Sequence, residues 1–455
     1  MTSAAAPIPG PSTVRAVSGL VTRGFLEEMG RQWRTHGDLF EMRLGPRRLL
    51  VAVHPEAVRE VTMSNRRDFD KLGSYDTVRD YLTGQGLIAS TGDLWKRQRR
   101  LMAPMFTPRG VQVYGETMLT DALRLADRWG ELAVSGTRVD MGEEMTELTA
   151  SIIVSALFSS DSTIAGLHQH VSTMIGYANA RAGGMAAPTW APTPGARRYV
   201  AARKAVHGFI ESLIRQRRSM PEAEWPDDLL TRLMQARDDE TGASMADDLL
   251  RDESITMFFA GHETTARTMT ATWYALATNP HVAVRLHEEL DAVQGDPAGV
   301  ASGTPPTLDD LKRLPYTLQV VKEVLRLYPA APFYVRDAVR DTTVMGREVP
   351  AGASVMLSPY YTHRHPEFWF DAERFDPDRW KPAREKAQHP TAFHPFASGE
   401  RVCIGNHFSL LESHILLAVL AHRYAPQLPA GFTPKWKMDG VLTSANGMPM
   451  TITRR

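Results

Sequence analysis

Cysteine is all but absent: the 455 residues contain one, Cys403. A single thiol excludes an internal disulfide framework and a tetracysteine metal site, and it is compatible with a cytoplasmic protein. Missing too is any excess of charge of one sign, since 52 basic residues balance 52 acidic ones, which argues against nucleic acid as a partner. Long apolar runs are also lacking. The longest, such as residues 152–158 and 415–420, fall far short of the roughly 20 residues a membrane-spanning helix needs. The first 13 residues are small and proline-rich, without the basic-then-apolar order of a signal peptide. Residues 1–15 are therefore expected to be a flexible tail and residues 16–455 one domain, a monomer, with enough apolar content (43%) to bury a large core.

What is present is organised around that one cysteine. Phe396-Ala397-Ser398-Gly399-Glu400-Arg401-Val402-Cys403-Ile404-Gly405 sets it in a glycine-framed loop ahead of an apolar helical stripe, Leu410, Leu411, Ile415, Leu416 and Val419. A solitary cysteine is most often a small inert core residue. Here Gly399 and Gly405 permit φ > 0 and close backbone approach, and the amides entering the next helix supply donors and a positive helix end that favour thiolate. Those are the requirements of an iron ligand.

Four other stretches stand out. Trp95 and Arg99 share a helical face at i, i+4 in a basic run that could equally be a solvated helix. The long apolar segment 249–276 stops before Asn279-Pro280 and contains Ala260-Gly261-His262-Glu263-Thr264-Thr265. Gly261 alone costs about 1 kcal/mol there relative to Ala, which a functional kink would explain, with Thr264 bonding back to the Ala260 carbonyl and bending the helix. A helix packed through small residues is the other reading, and His262 reads as a core or surface histidine. Glu323 and Arg326 form an i, i+3 pair of a kind common on helix surfaces, followed some fifty residues later by Ala372-Glu373-Arg374-Phe375. Residues 39–44 and 49–53 flank Gly45-Pro46-Arg47-Arg48, a turn that suggests a β-hairpin, and 344–349 with 353–357 read as a second. The proline-rich stretch 183–195 reads as a lid loop within one domain, because an amphipathic helical pattern resumes at once.

In this order the motifs resemble those of the cytochrome P450 family of haem-thiolate monooxygenases, over roughly residues 39–428. The resemblance implies a mainly α fold with a small β region, a triangular helical haem protein. It implies haem b ligated by Cys403, Phe396 and Gly405 beside the sulfur, propionates met by Trp95, Arg99, Arg336 and Arg401, and Ala260 near the iron. Glu263 would relay protons and Thr264 would handle bound dioxygen. Glu323, Arg326 and Arg374 would form a buried structural triad, although Ala372 stands where the family often has proline. Residues 330–334 would line the substrate pocket as a strand, with Leu87, Ile88, Ala331, Phe333 and a turn carrying Thr443. The activity implied is insertion of one oxygen atom into an apolar small molecule such as a terpenoid, steroid or fatty acid. Electrons would come from NAD(P)H through a reductase and a ferredoxin or flavodoxin, docking near Cys403 on basic residues such as Arg97, Arg100 and Arg401. A peroxide-driven peroxygenase and a haem sensor without turnover are the alternatives, and intact Glu263 and Thr264 speak against the first.

Overall fold

The computed structural model describes residues 8–44, 47–159, 167–238, 240–295 and 305–455. Leu39–Leu44 (β1) and Arg47–Ala52 (β2) pair antiparallel, so Arg47 and Arg48, expected in the turn, lie in the strand; residues 45–46 lie outside the described residues. The sheet is completed by Phe69–Asp70 (β3), Tyr334–Ala338 (β4) and Ser354–Leu357 (β5), in the order β1-β2-β5-β4-β3. β2 and β5 run parallel, so most of the helical body lies in the chain between them.

Three expectations are corrected here. The strand expected at residues 330–334 begins only at Tyr334. The second expected hairpin is re-paired: residues 342–344 fold onto 347–349 through Met345 and Gly346 at φ 50° and 70°. Two successive positive φ values are what a two-residue hairpin turn requires, and this frees residues 354–357 for the main sheet. The tail is shorter than expected, because a helix already runs over Thr13–Arg23 and the Pro9 carbonyl accepts from the Glu41 amide at 2.8 Å; residues 1–7 lie outside the described residues.

The helices that position the site are Gly92–Met102 (α1), Met141–Phe158 (α2), Leu167–Ala182 (α3), Pro194–Ser219 (α4), Asp247–Thr278 (α5), Pro315–Leu327 (α6) and Asn406–Arg423 (α7). α5 carries Asp247 and Asp248 in its first turn, where acidic groups suit the helix dipole, and ends before Pro280. Its 32 residues span about 48 Å at 1.5 Å per residue, and they are buried on several faces because α2, α4 and α7 pack around them. Core residues of α3 and α4 join the same apolar cluster as α5 and α7, so the 183–195 loop connects two helices of one core. Trp190 in that loop is exposed.

Candidate active site

The Cys403 loop is closed by its own backbone, the Cys403 amide donating to the Phe396 carbonyl at 2.8 Å. Gly399 sits at φ 72°, and a Cβ there would lie 2.0 Å from the Thr62 carbonyl oxygen; only glycine fits. Gly405 differs from expectation. Its φ is −85°, so it contributes no left-handed turn; instead its amide hydrogen-bonds the Cys403 sulfur. Cys403 keeps an open face, yet desolvation pushes its thiol up, opposed by that amide and by the charges of Arg99 and Lys71.

Cations converge beside it. Arg401 stacks over Trp95 at 3.7 Å, donates to the Ser90 carbonyl at 3.0 Å and pairs with Asp70; burial pushes it down to about 10. Arg336, almost fully buried on β4, lies over the Tyr334 ring. Lys71, a residue the sequence reading missed, donates to the Ile88 carbonyl at 2.9 Å. Burial drives its ammonium well below the usual range, and the charges of Arg336 and Arg401 add to the effect. Three basic side chains gather around Asp70, with Glu400 also acting on Arg401, and form a site that a pair of propionates would relieve. The donor set thus fits haem: a lone desolvated sulfur, cations for two carboxylates and an indole. Arg99 donates to the Val402 carbonyl at 2.8 Å, and so braces the cysteine loop.

α5 brings the second half of the site. Thr264 Oγ1 donates to the Ala260 carbonyl at 2.8 Å, the back-bond expected, while the helix continues uninterrupted. Gly261 serves contact: a Cβ there would lie 2.8 Å from Ile153 Cδ1 on α2. Burial raises the Glu263 carboxyl, and Arg267, one turn on at 3.4 Å, opposes that. Thr265 meets Ser409 on α7 at 3.2 Å, tying α5 to the helix that starts after Cys403. Beside them Glu412 is fully desolvated and pushed up to about 8. His262 is a core histidine, bonded to the Phe258 carbonyl and stacked on that ring.

Behind the cysteine loop, Glu323 and Arg326 are fully buried and bidentate at 2.9 and 2.8 Å. Every guanidinium donor is used, the rest by the carbonyls of His363, Ala372 and Arg374. The expected third member is corrected. Arg374 contributes only its carbonyl and its side chain is exposed; Arg379 is the side chain at Glu323, 3.4 Å away, together with Trp380 Nε1 and the Asp376 amide. Pro377-Asp378-Arg379-Trp380 is a second acid-Arg-aromatic pattern only five residues on, a signal the sequence offered.

Of the pocket candidates, Leu87 is buried and Ile88 half-buried, in a loop between the cations and α5. Thr443 lies in the strand Val441–Ser444 rather than a turn, and the Leu442 amide donates to the Ala330 carbonyl at 2.9 Å, which sets this strand beside Ala331. Phe333 is a correction: its ring packs edge-on against Phe25 at 5.1 Å and near Tyr361, within an apolar cluster of the N-terminal helices. The basic residues expected to meet a redox partner are engaged within the chain. Arg100 is paired with Asp238 and Glu240 at 2.8 and 2.9 Å, Arg97 donates to the Ser244 carbonyl, and Arg401 is held by Asp70.

The fold and this arrangement define a haem-thiolate protein, and comparison with known sequences agrees. The cytochrome P450 family model matches residues 14–449, and the chain belongs to that family. It is 34% identical, over 86% of its length and 82% of the relative's, to cyclooctat-9-en-7-ol 5-monooxygenase of Streptomyces melanosporofaciens. Identity is also 34% to pentalenene oxygenase of Streptomyces avermitilis, over 86% and 84% of the two chains. The crystal structure of the cytochrome P450DA haem domain superposes with a TM-score of 0.89 at 27% identity, covering 100% and 99% of the chains. The protein is a cytochrome P450 monooxygenase with thiolate-ligated haem, inserting oxygen into apolar substrates. No helix among the described residues is long and apolar enough to cross a membrane.

Proposed function

We propose that the chain hydroxylates or epoxidises a terpenoid hydrocarbon, with Cys403 as the haem ligand and Glu263 and Thr264 delivering protons. The observation that carries this is the Thr265–Ser409 contact, which fixes the Glu263-Thr264 step of α5 against the helix leading from the thiolate. Cys403, Lys71, Arg336, Arg401 and Trp95 would hold haem there, and the bound haem would supply the reductive activation of dioxygen. The chain's own groups do the rest. The Gly405 amide and the charges of Arg99 and Lys71 favour the thiolate, in opposition to the desolvation that raises the Cys403 thiol. Glu263, held protonated to higher pH than an exposed glutamate by its burial, passes protons inward, and Thr264, anchored to the Ala260 carbonyl, presents its hydroxyl oxygen one residue further along the same helix. The terpenoid class is supported by two relatives whose names denote a cyclooctatenol monooxygenase and a pentalenene oxygenase.

Electrons are proposed to come from a separate ferredoxin or flavodoxin, since one cysteine cannot supply an iron–sulfur cluster. Because Arg97, Arg100 and Arg401 are already paired, that encounter should depend on salt less steeply than a free basic patch would make it. The test supplies pentalenene, NAD(P)H, ferredoxin, reductase and ¹⁸O₂. One labelled oxygen in the product is expected, together with the red-shifted CO band of the reduced protein. Loss of neither in Cys403→Ala, or turnover on peroxide alone with no label from dioxygen, would overturn the reading.

A further inference from the structure

Residues 84–90 are strung between two anchors. On one side the carbonyls of Ile88, Ala89 and Ser90 accept from Lys71, Arg79 and Arg401 at 2.9, 2.8 and 3.0 Å. On the other, the amides of Gln85 and Leu87 donate to Asp252 Oδ2 and Glu253 Oε2, adjacent carboxylates of α5, at 2.8 and 3.0 Å. The fit against α5 is close, because a Cβ on Gly86 would lie 1.9 Å from Thr256 Oγ1 and 2.9 Å from the Asp252 carbonyl oxygen. Gln98 of α1 holds the Gln85 carbonyl from a third direction at 2.7 Å.

The two carboxylates are not equivalent. Asp252 is met by Arg251, which also reaches Glu211 of α4; His207 and Arg203 of α4 belong to the same group of charges. Glu253 is 0% exposed, and its Oε1 has no hydrogen-bond partner. Its carboxyl is pushed up to about 8 by burial, which the Leu87 amide opposes and the Asp252 charge reinforces. From residues 79–83, packed on α5, Arg79 is engaged by Asp76, the Tyr81 hydroxyl meets Arg181 and Asp80 is exposed. α1 offers uncharged Gln98.

We propose that Glu253, as a neutral carboxylic acid, is a positioning residue that fastens residues 84–87 to α5 and so sets the Leu87–Ile88 wall of the substrate pocket, a wall that loosens when the proton is lost. This rests on the pocket role given above to Leu87 and Ile88. With the loop closed Glu253 holds its proton up to about 8, whereas in water its ordinary value is 4.5. Closure is therefore fully favoured below the lower value. It weakens by up to about tenfold per pH unit between the two and levels off above the higher one.

The test uses the holoenzyme between pH 5 and 9. Hydrogen exchange at the Leu87 amide, corrected for intrinsic base catalysis, should lose protection by up to about tenfold per unit and level off near pH 8. The dissociation constant for farnesene, read from its spin-state shift, should rise over the same window. Glu253→Gln keeps an acceptor for Leu87 and should flatten both dependences at the low-pH value, while Glu253→Leu should leave the amide unprotected throughout. Protection that ignores pH in the parent protein, or a pH dependence that survives in Glu253→Gln, overturns the clamp. A farnesene response independent of pH, absence of binding included, while Leu87 exchange does titrate, overturns the pocket role. The exchange arm does not depend on the monooxygenase reading, whose own failure appears in the CO band.

Discussion

At the scale of single residues, the buried pair Glu323–Arg326 shows how much one junction can depend on completeness. A guanidinium with all its donors bonded tolerates full burial; one with a missing acid does not. Glu323→Ala or Arg326→Ala should cost about 3–5 kcal/mol and yield protein without haem, seen in thermal unfolding and haem content. Arg374→Ala should fall within about 0.5 kcal/mol of the parent, as surface changes do, whereas Arg379→Ala should lose stability and haem together. The reverse order of those two variants would restore Arg374 to the triad. The Glu323–Arg326 spacing was legible because both residues lie on one helix. Its third partner was not, because two acid-Arg-aromatic patterns lie five residues apart and only the path of the chain after Phe375 decides between them. Lys71 carried no pattern at all: a lone lysine acquires meaning only when β4 and the cysteine loop bring Arg336 and Arg401 beside it.

At the scale of elements, α5 carries the oxygen-handling residues and α2 sets where they stand. Thr264→Ala should still bind haem and substrate but divert reducing equivalents to peroxide, lowering product formed per NAD(P)H; positioned proton transfer contributes about 10²–10⁴-fold. Unchanged coupling would remove Thr264 from proton delivery. Gly261 makes a separate prediction. Alanine there meets Ile153 at 2.8 Å, so Gly261→Ala should cost about 1–3 kcal/mol as an overpacked contact, partly relieved by Ile153→Ala in a double-mutant cycle of unfolding free energies. Additive effects would mean that the two side chains do not meet. From sequence, the glycine suggested a kink. Helical periodicity identifies α5 itself, but the neighbour that needs the space comes from a helix about a hundred residues earlier, which no local pattern reveals.

At the scale of the whole molecule, the haem site gathers cations from distant parts of the chain. Removing haem should therefore lower the unfolding temperature, since a ligand at 100 times its Kd stabilises by about 2.7 kcal/mol. The apoprotein of Lys71→Met should recover part of that loss, because one of three converging buried charges is gone; a lower melting apoprotein in that variant would show that Lys71 is satisfied without haem. The parallel pairing of Leu49–Ala52 with Ser354–Leu357 has a consequence in time. Some three hundred residues separate the partners, and at about 5–20 residues per second the ribosome needs about 15–60 s to pass from one to the other. Throughout that interval the β1–β2 hairpin presents an unpaired edge rich in leucine and valine, a template for the same hairpin on a neighbouring nascent chain. Cys403 emerges later still, so haem capture comes after the sheet has closed, and a slower supply of the strand at 354–357 should be felt as aggregation before it is felt as lost haem.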